Sequence, residues 1–188
     1  MKYLAPFVPQ AYYHVFSHAN GFENIFLDNG NFEYFLRQFE KYISPVADTY
    51  AYCLMPNHFH FLIKIKSLED LKIPDDYSYD IHKFVMQQWS NMLNSYSKAF
   101  NKMHNRRGAL FVNQLRRSHI DSEEYLYKVL HYIHDNPVKH QFKSHAAEWF
   151  YSSIHNYRHA KDLGILADDS KLIYQQATLV ESQLNKFL

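Results

Sequence analysis

Periodicity in this chain predicts an α+β fold whose main elements follow one another as β-α-β-β-α-β-α. Three observations carry that reading. Apolar residues recur at helical spacing in 31–42, 81–104 and 122–136. Short β-prone runs occupy 11–18, 47–55 and 58–66. Proline, glycine or clustered polar residues stand between most of these segments. The first six elements have the order of a split βαβ, ferredoxin-like unit, and the seventh is an added helix.

Residues 11–18 alternate enough for a first strand. The helix from Asn31 to Tyr42 places Phe32, Phe35, Leu36, Phe39 and Tyr42 on one side, and Pro45 breaks it. Residues 47–55 and 58–66 read as two strands joined across Met55-Pro56-Asn57. The acidic, polar stretch 67–79 reads as a loop. Phe84, Val85, Trp89, Met92, Leu93, Tyr96 and Phe100 define the apolar side of a long helix over 81–104, which Arg106-Arg107-Gly108 ends. A short extended segment lies within 109–120. In the last main helix, Leu126, Val129, Leu130 and Ile133 form the buried stripe. Asp121 with Glu124 resembles a capping box, and Pro137 stops the helix from behind. Residues 1–157 then make one domain with a sizeable core. Residues 158–188 form a polar, partly helical tail without evident chemistry.

Composition excludes several classes. Apolar residues are 47% and aromatics 18%, so the chain is globular. Only four glycines occur, and neither Gly-x-x-x-x-Gly-Lys nor Gly-x-Gly-x-x-Gly is found, which argues against nucleotide-driven chemistry. Cys53 is the single cysteine, so no intrachain disulfide forms and a reducing cytosol is the natural compartment. Its neighbours are apolar, which makes it a poor nucleophile. No signal peptide or membrane-spanning run is visible. Net charge is only +1, but it is unevenly spread. Residues 81–120 contain no acid and seven bases: Lys83, Lys98, Lys102, Arg106, Arg107, Arg116 and Arg117. The other 13 bases stand against 19 acids, net −6. Such asymmetry is expected of a face that contacts phosphates, or, more plainly, of a solvated basic helix.

Two segments carry candidate chemistry. His58-Phe59-His60 lies in an apolar, β-prone run, so both imidazoles project from one face while Phe59 and Phe61 take the other. Two imidazoles converging from a rigid strand make half of a divalent-metal site. Among thirteen histidines they could equally be a hydrogen-bonded surface pair. On the helix, Tyr132 and Asn136 are one turn apart and flank the buried stripe, with Tyr125 on the same flank two turns earlier. With 16 tyrosines, packing is the ordinary role of any one of them.

Together these segments resemble the HUH superfamily (His, hydrophobic, His) of single-tyrosine DNA transposases. The likeness is nearest to bacterial REP-associated tyrosine transposases and their insertion-sequence relatives. Four blocks carry it in order over about residues 11–157. They are Tyr12-Tyr13-His14-Val15-Phe16, the run Ala51 to His60, Tyr132 to Lys139, and Trp149-Phe150-Tyr151-Ser152-Ser153. These transposases often carry an Arg-Gly pair after the first strand. Here the positions read Ser17-His18-Ala19-Asn20-Gly21, so a DNA contact from that arginine would be absent or made differently.

The resemblance implies an antiparallel sheet whose open face bears the His pair, with the extra helix bringing in the tyrosine. It also implies roles: His58, His60 and Asn136 as metal ligands, and Tyr132 as nucleophile. The metal would be Mg²⁺ or Mn²⁺, the latter better matched to imidazole and amide oxygen. With one cysteine, a structural Zn²⁺ site is disfavoured. The expected reaction is attack of the Tyr132 phenol on a phosphate of single-stranded DNA near a hairpin. It would form a 5′-phosphotyrosine and release a 3′-hydroxyl, conserving the bond for rejoining. DNA would be held by Lys98, Lys102, Arg106, Arg107, Arg116 and Arg117. The protein would be cytoplasmic and nucleoid-associated. A homodimer is possible, because family members differ in whether the tyrosine serves its own subunit. Two other readings remain: a hydrolase using His58, His60, a carboxylate such as Asp135 and water, or a non-catalytic hairpin-binding module. Asn136 could also cap the helix before Pro137 rather than ligate.

Overall fold

The computed structural model describes residues 3–77, 80–159 and 165–184. The order is β1 (Tyr12–His18), α1 (Asn29–Tyr42), β2 (Ala47–Met55), β3 (His58–Ile65), α2 (Ile81–Met103), β4 (Arg116–Ile120), α3 (Glu123–His134), α4 (Asn136–Lys139), α5 (Ile154–His159) and α6 (Ser170–Leu184). The four strands form one antiparallel sheet in the order β2-β3-β1-β4, the ferredoxin-like arrangement expected from the sequence.

Alternation along the strands separates two layers. One side of the sheet, with Tyr13, Val15, Phe59, Phe61 and Ile63, packs on α1 and α2 through Phe35, Phe39 and Trp89. Phe39 and Phe61 stack with ring centres 4.1 Å apart. The other side presents Cys53, Met55 and Leu62 to Leu126, Val129, Leu130 and Ile133 of α3, the predicted stripe. α3 covers that second face, which is therefore open only beside the helix. α6 packs against α3 and β2, and its Ala177 is buried. The segment expected as a polar tail thus contributes a helix to the second layer.

Caps differ in detail from expectation. The N-cap of α3 is Ser122, whose side chain accepts from Tyr125 N–H, rather than Asp121. Ser122 is the last extended residue, with φ −144° and ψ 152°, so its hydroxyl meets the orphan amides. α2 ends three residues before Arg106. Asn105 adopts φ +49°, and Arg106 N–H donates to Asn101 C=O at 2.8 Å, a Schellman closure.

Both sheet edges are covered. Outside β2, Leu54 N–H donates to Tyr151 C=O at 2.9 Å and Ser153 N–H to Tyr52 C=O at 3.0 Å. Trp149 Nε1–H adds a bond to Leu54 C=O at 2.8 Å. The Trp149–Ser153 block, a bare motif in the sequence, is thus an edge cover. His134 ties α3 to it through Ser153 Oγ at 2.8 Å. At the far edge, Arg117 N–H bonds Tyr3 C=O.

Candidate active site

The site lies between the β1/β3 surface and α3. His58 and His60 leave β3 on the α3 side, their ring centres 5.2 Å apart. β1 runs antiparallel beside them with Phe16 opposite His60, which puts His14 on the diagonal. His14 Nε2 lies 2.9 Å from His60 Nδ1, and both rings are buried. Tyr132 comes across from α3, its ring centre 5.6 Å from that of His60 and 5.8 Å from that of His14. The nucleophile candidate and His60 therefore meet within one chain. They line a cleft of about 610 Å³ with Tyr3, Phe16, Tyr125, Arg116, Lys128 and Lys139. Lys139 Nζ stands 4.3 Å from the centre of the Tyr132 ring.

Of the two parts that the sequence left open for Asn136, the structure shows the cap. Asn136 Nδ2 donates to Tyr132 C=O at 2.7 Å and reaches Ile133 C=O at 3.4 Å, so it caps α3. Carbonyls only accept, which fixes the amide orientation and leaves Oδ1 facing away. Oδ1 is buried and has no hydrogen-bond partner among the described residues. The same is true of His58 Nε2. His58 Nδ1 is 2.7 Å from Asn57 Oδ1, again an acceptor only, so Nδ1 carries the proton and Nε2 the lone pair.

Electrostatics keep these rings neutral. Burial lowers the pKa of His58 to about 4, helped by the neighbouring His140, while the adjacent Asn136 amide acts in the opposite sense. Burial also takes His14 to about 4. Burial first, then His14, His58, His140 and Lys139, holds His60 well below its ordinary value. Neutral imidazoles are the form that binds metals. The Asn136 side chain lies near enough to His58 to act on its protonated form as a hydrogen-bond acceptor. With His58 in the Nδ1–H form, Nε2 and Asn136 Oδ1 are both acceptors, and a divalent cation would satisfy both. His58, His60 and Asn136 thus fit such an ion. No set of three His, Cys, Asp or Glu among the described residues is so arranged, so a third protein ligand beside the two imidazoles would have to be the amide. Tyr132 has its pKa raised by burial and by Tyr3, so it is a neutral phenol at pH 7.

The basic residues expected to hold DNA do not share one surface. Arg116 lines the cleft. Arg106 does not present a free guanidinium: it pairs with Glu23 and donates to Asn101 Oδ1, Gly108 C=O and Ala109 C=O, stapling the turn after α2. Arg117 is buried, donates to Ala5 C=O at 2.7 Å and Leu115 C=O at 3.1 Å, and lies over the Phe7 ring. Both depart from the expected DNA-holding role, because their charge serves internal carbonyls. Lys98 and Lys102 are carried by α2, which packs on the opposite side of the sheet, and Arg107 is exposed in the following turn. Sequence reading gave His14 and Lys139 no role beyond their place in the matching blocks and did not single out Lys128. Alternation along β1 and the spacing Tyr125-Lys128-Tyr132 were the available signals.

Fold and site define a class: a ferredoxin-like domain whose sheet carries a His-x-His pair, with a tyrosine delivered to it by an added helix. Proteins of that class are what the chain resembles. A curated protein of Haemophilus influenzae (strain ATCC 51907 / DSM 11121 / KW20 / Rd), named as a candidate REP-associated tyrosine transposase, is 28% identical over 110 residues, 57% of this chain. The chain matches only 59% of that relative's length. A solved REP-associated tyrosine transposase bound to a REP hairpin superposes with a TM-score of 0.57, over 90% of this chain and 93% of that one, at 13% identity. No family model matches the chain. The resemblance to REP-associated tyrosine transposases read from the four blocks therefore holds in sequence and in fold.

Proposed function

We propose that the protein is a DNA strand transferase of the REP-associated tyrosine transposase kind, which cleaves and rejoins single-stranded DNA beside hairpins. The observation that carries this reading is the cleft in which Tyr132 and His60 of one chain stand together, walled by Arg116, Lys128 and Lys139. The names of the similar proteins support it, and one of them is bound to a REP hairpin.

The cleft suits unpaired DNA. Arg116 and Lys139 meet phosphates, as does Lys128 once it leaves its exposed pairing with Glu124, while Tyr3, Phe16 and Tyr125 offer ring faces and edges to bases. Tyr132 Oη attacks phosphorus, the bond to the 3′-oxygen breaks, and a 5′-phosphotyrosine forms. The phenolic proton passes to water in the open cleft, and the leaving 3′-oxygen takes one up. Lys139, over the ring, favours the negative charge that develops on the phenol. His58, His60 and Asn136 would hold Mg²⁺ or Mn²⁺. A divalent ion bound there would supply charge stabilisation at the phosphate. Asp135, the carboxylate that a water-using hydrolase would need, lines the groove between α3 and α6 rather than the cleft with His60.

Labelled hairpin DNA with a single-stranded flank, incubated with Mn²⁺ and run on a denaturing gel, tests the reading. A protein–DNA adduct is expected with the native chain and none with Tyr132→Phe. His58→Ala should abolish the adduct while hairpin binding persists. Cleavage that survives Tyr132→Phe would point to water as nucleophile, and binding with no cleavage under any divalent ion would point to a binding module.

A further inference from the structure

Resting on the metal site proposed for His58, His60 and Asn136, we propose that His14 is a positioning residue that holds His60 in its Nδ1–H tautomer and so leaves Nε2 to ligate the cation. The placement originates in β1. Tyr13 and Val15 are fully buried in the aromatic layer, which fixes the register of β1 on β3 and forces His14 to the opposite side. There it meets His60 at 2.9 Å, nitrogen to nitrogen, with ring planes 29° apart. His14 and His60 are only 8% and 6% exposed, so water does not compete freely for this bond.

A hydrogen bond between two neutral imidazoles needs one N–H and one lone pair. Only one assignment is compatible with a ligating His60: Nδ1–H donates to His14 Nε2, and Nε2 keeps its lone pair. The reverse would put the proton on the ligating atom. His58 already follows the same rule, with Asn57 Oδ1 in the place His14 takes for His60. Each histidine of the pair therefore has its Nδ1 held by a polar neighbour, one from the preceding turn and one from the adjacent strand. Such outer neighbours orient a ligand ring and raise its basicity.

The tautomer can be read without any metal. Long-range ¹H–¹⁵N spectra of the metal-free protein at about pH 7.5, well above the range in which these rings protonate, should show His60 as Nδ1–H. In His14→Phe, which keeps a ring but no acceptor, His60 should shift to the Nε2–H form that an unconstrained imidazole prefers. In His14→Gln, whose amide oxygen can accept, Nδ1–H should return. Mn²⁺ affinity by calorimetry should fall about 10–100-fold in His14→Phe and recover largely in His14→Gln. The same spectra report whether each variant is folded, and His14→Gln serves if His14→Phe is not. An Nε2–H form of His60 in the native protein, or an unchanged tautomer in the folded variants lacking an acceptor, would overturn the proposal. Should the native protein show Nδ1–H, lose it in His14→Phe and yet bind no Mn²⁺, His14 keeps its positioning role and the metal site is what fails.

Discussion

Along β3, Phe59 and Phe61 turn toward α1 and α2, where Phe35, Phe39 and Trp89 enclose them, while His58 and His60 turn toward α3. The aromatic side is sealed by ring packing, and Trp89 Nε1, buried there with no hydrogen-bond partner among the described residues, is a donor, unable to bind a cation. The histidine side holds buried polar atoms, His58 Nε2 and Asn136 Oδ1, that no described residue satisfies. One strand thus divides stability from chemistry by the two-residue period of its pleat. The aromatic layer supplies the rigidity that lets the other face carry unmet acceptors, which cost stability unless a ligand meets them.

The largest contrast is expected from truncation on each side. Phe61→Ala should lower unfolding free energy by about 3–5 kcal/mol, as for other buried aromatic truncations. His58→Ala should change the metal-free protein far less, since it removes an unsatisfied nitrogen along with the packing. Urea unfolding of both variants checks this, and equal losses would break the division. Acid should then weaken the histidine side specifically. In an unfolded chain an imidazole takes up its proton near about pH 6.5. Folded His14 and His58 resist until about 4, and His60 is likewise held well below its ordinary value by burial. Between those values the unfolded chain binds more protons, so stability is full above about 6.5 and falls as pH drops toward about 4. The slope is about 1.4 kcal/mol per pH unit for each such ring. Urea midpoints of the metal-free protein across this range measure it, and a shallower fall in His14→Phe would assign part of it.

Asn136→Ala should produce a smaller, double effect. Loss of the cap at Tyr132 C=O and Ile133 C=O lowers metal-free stability by about 1 kcal/mol, and loss of Oδ1 raises the Mn²⁺ concentration needed for cleavage. A melt beside a metal titration reads both, and either effect alone would assign the residue to one side of the comparison. The smallest effect concerns charge. Neutralising Arg116 and Lys128 should weaken single-stranded DNA binding. The slope of log affinity against log salt should flatten by about 0.7 for each phosphate no longer neutralised. Lys98→Gln and Lys102→Gln, on the aromatic side, should leave that slope unchanged. Binding titrations at several salt concentrations separate the two pairs.

Element order, strand extents and the α3 stripe were legible because each is a local repeat in the chain. The His-x-His pair and the Tyr132–Asn136 spacing were legible for the same reason. What could not be read depends on pairing between distant segments. His14 meets His60 only because β1 lies against β3, 46 residues away in sequence. Arg117 looks like a surface cation until Ala5, 112 residues earlier, supplies its carbonyl. Arg106 is likewise claimed by Glu23. An acid-free stretch reports composition, but which of its charges reach solvent is decided by the carbonyls that the fold brings near. Asn136 resisted a single assignment because its Nδ2 caps α3 while its Oδ1 is buried with no hydrogen-bond partner among the described residues.

The cover over β2 also has a bearing on synthesis. Tyr52 N–H bonds Ser153 Oγ, and the two residues are 101 apart in sequence. During translation β2 emerges long before the segment that shields its outer margin. At about 5–20 residues per second, that margin stays bare for roughly 5–20 seconds. In this interval the nascent chain offers an unpaired, aromatic-rich strand to any neighbour on the same polysome. The vulnerable period closes at Tyr52 to Leu54 when Trp149 to Ser153 arrive, and at Thr49 only with Leu166 and Ala167, so slow codons between these segments would lengthen it.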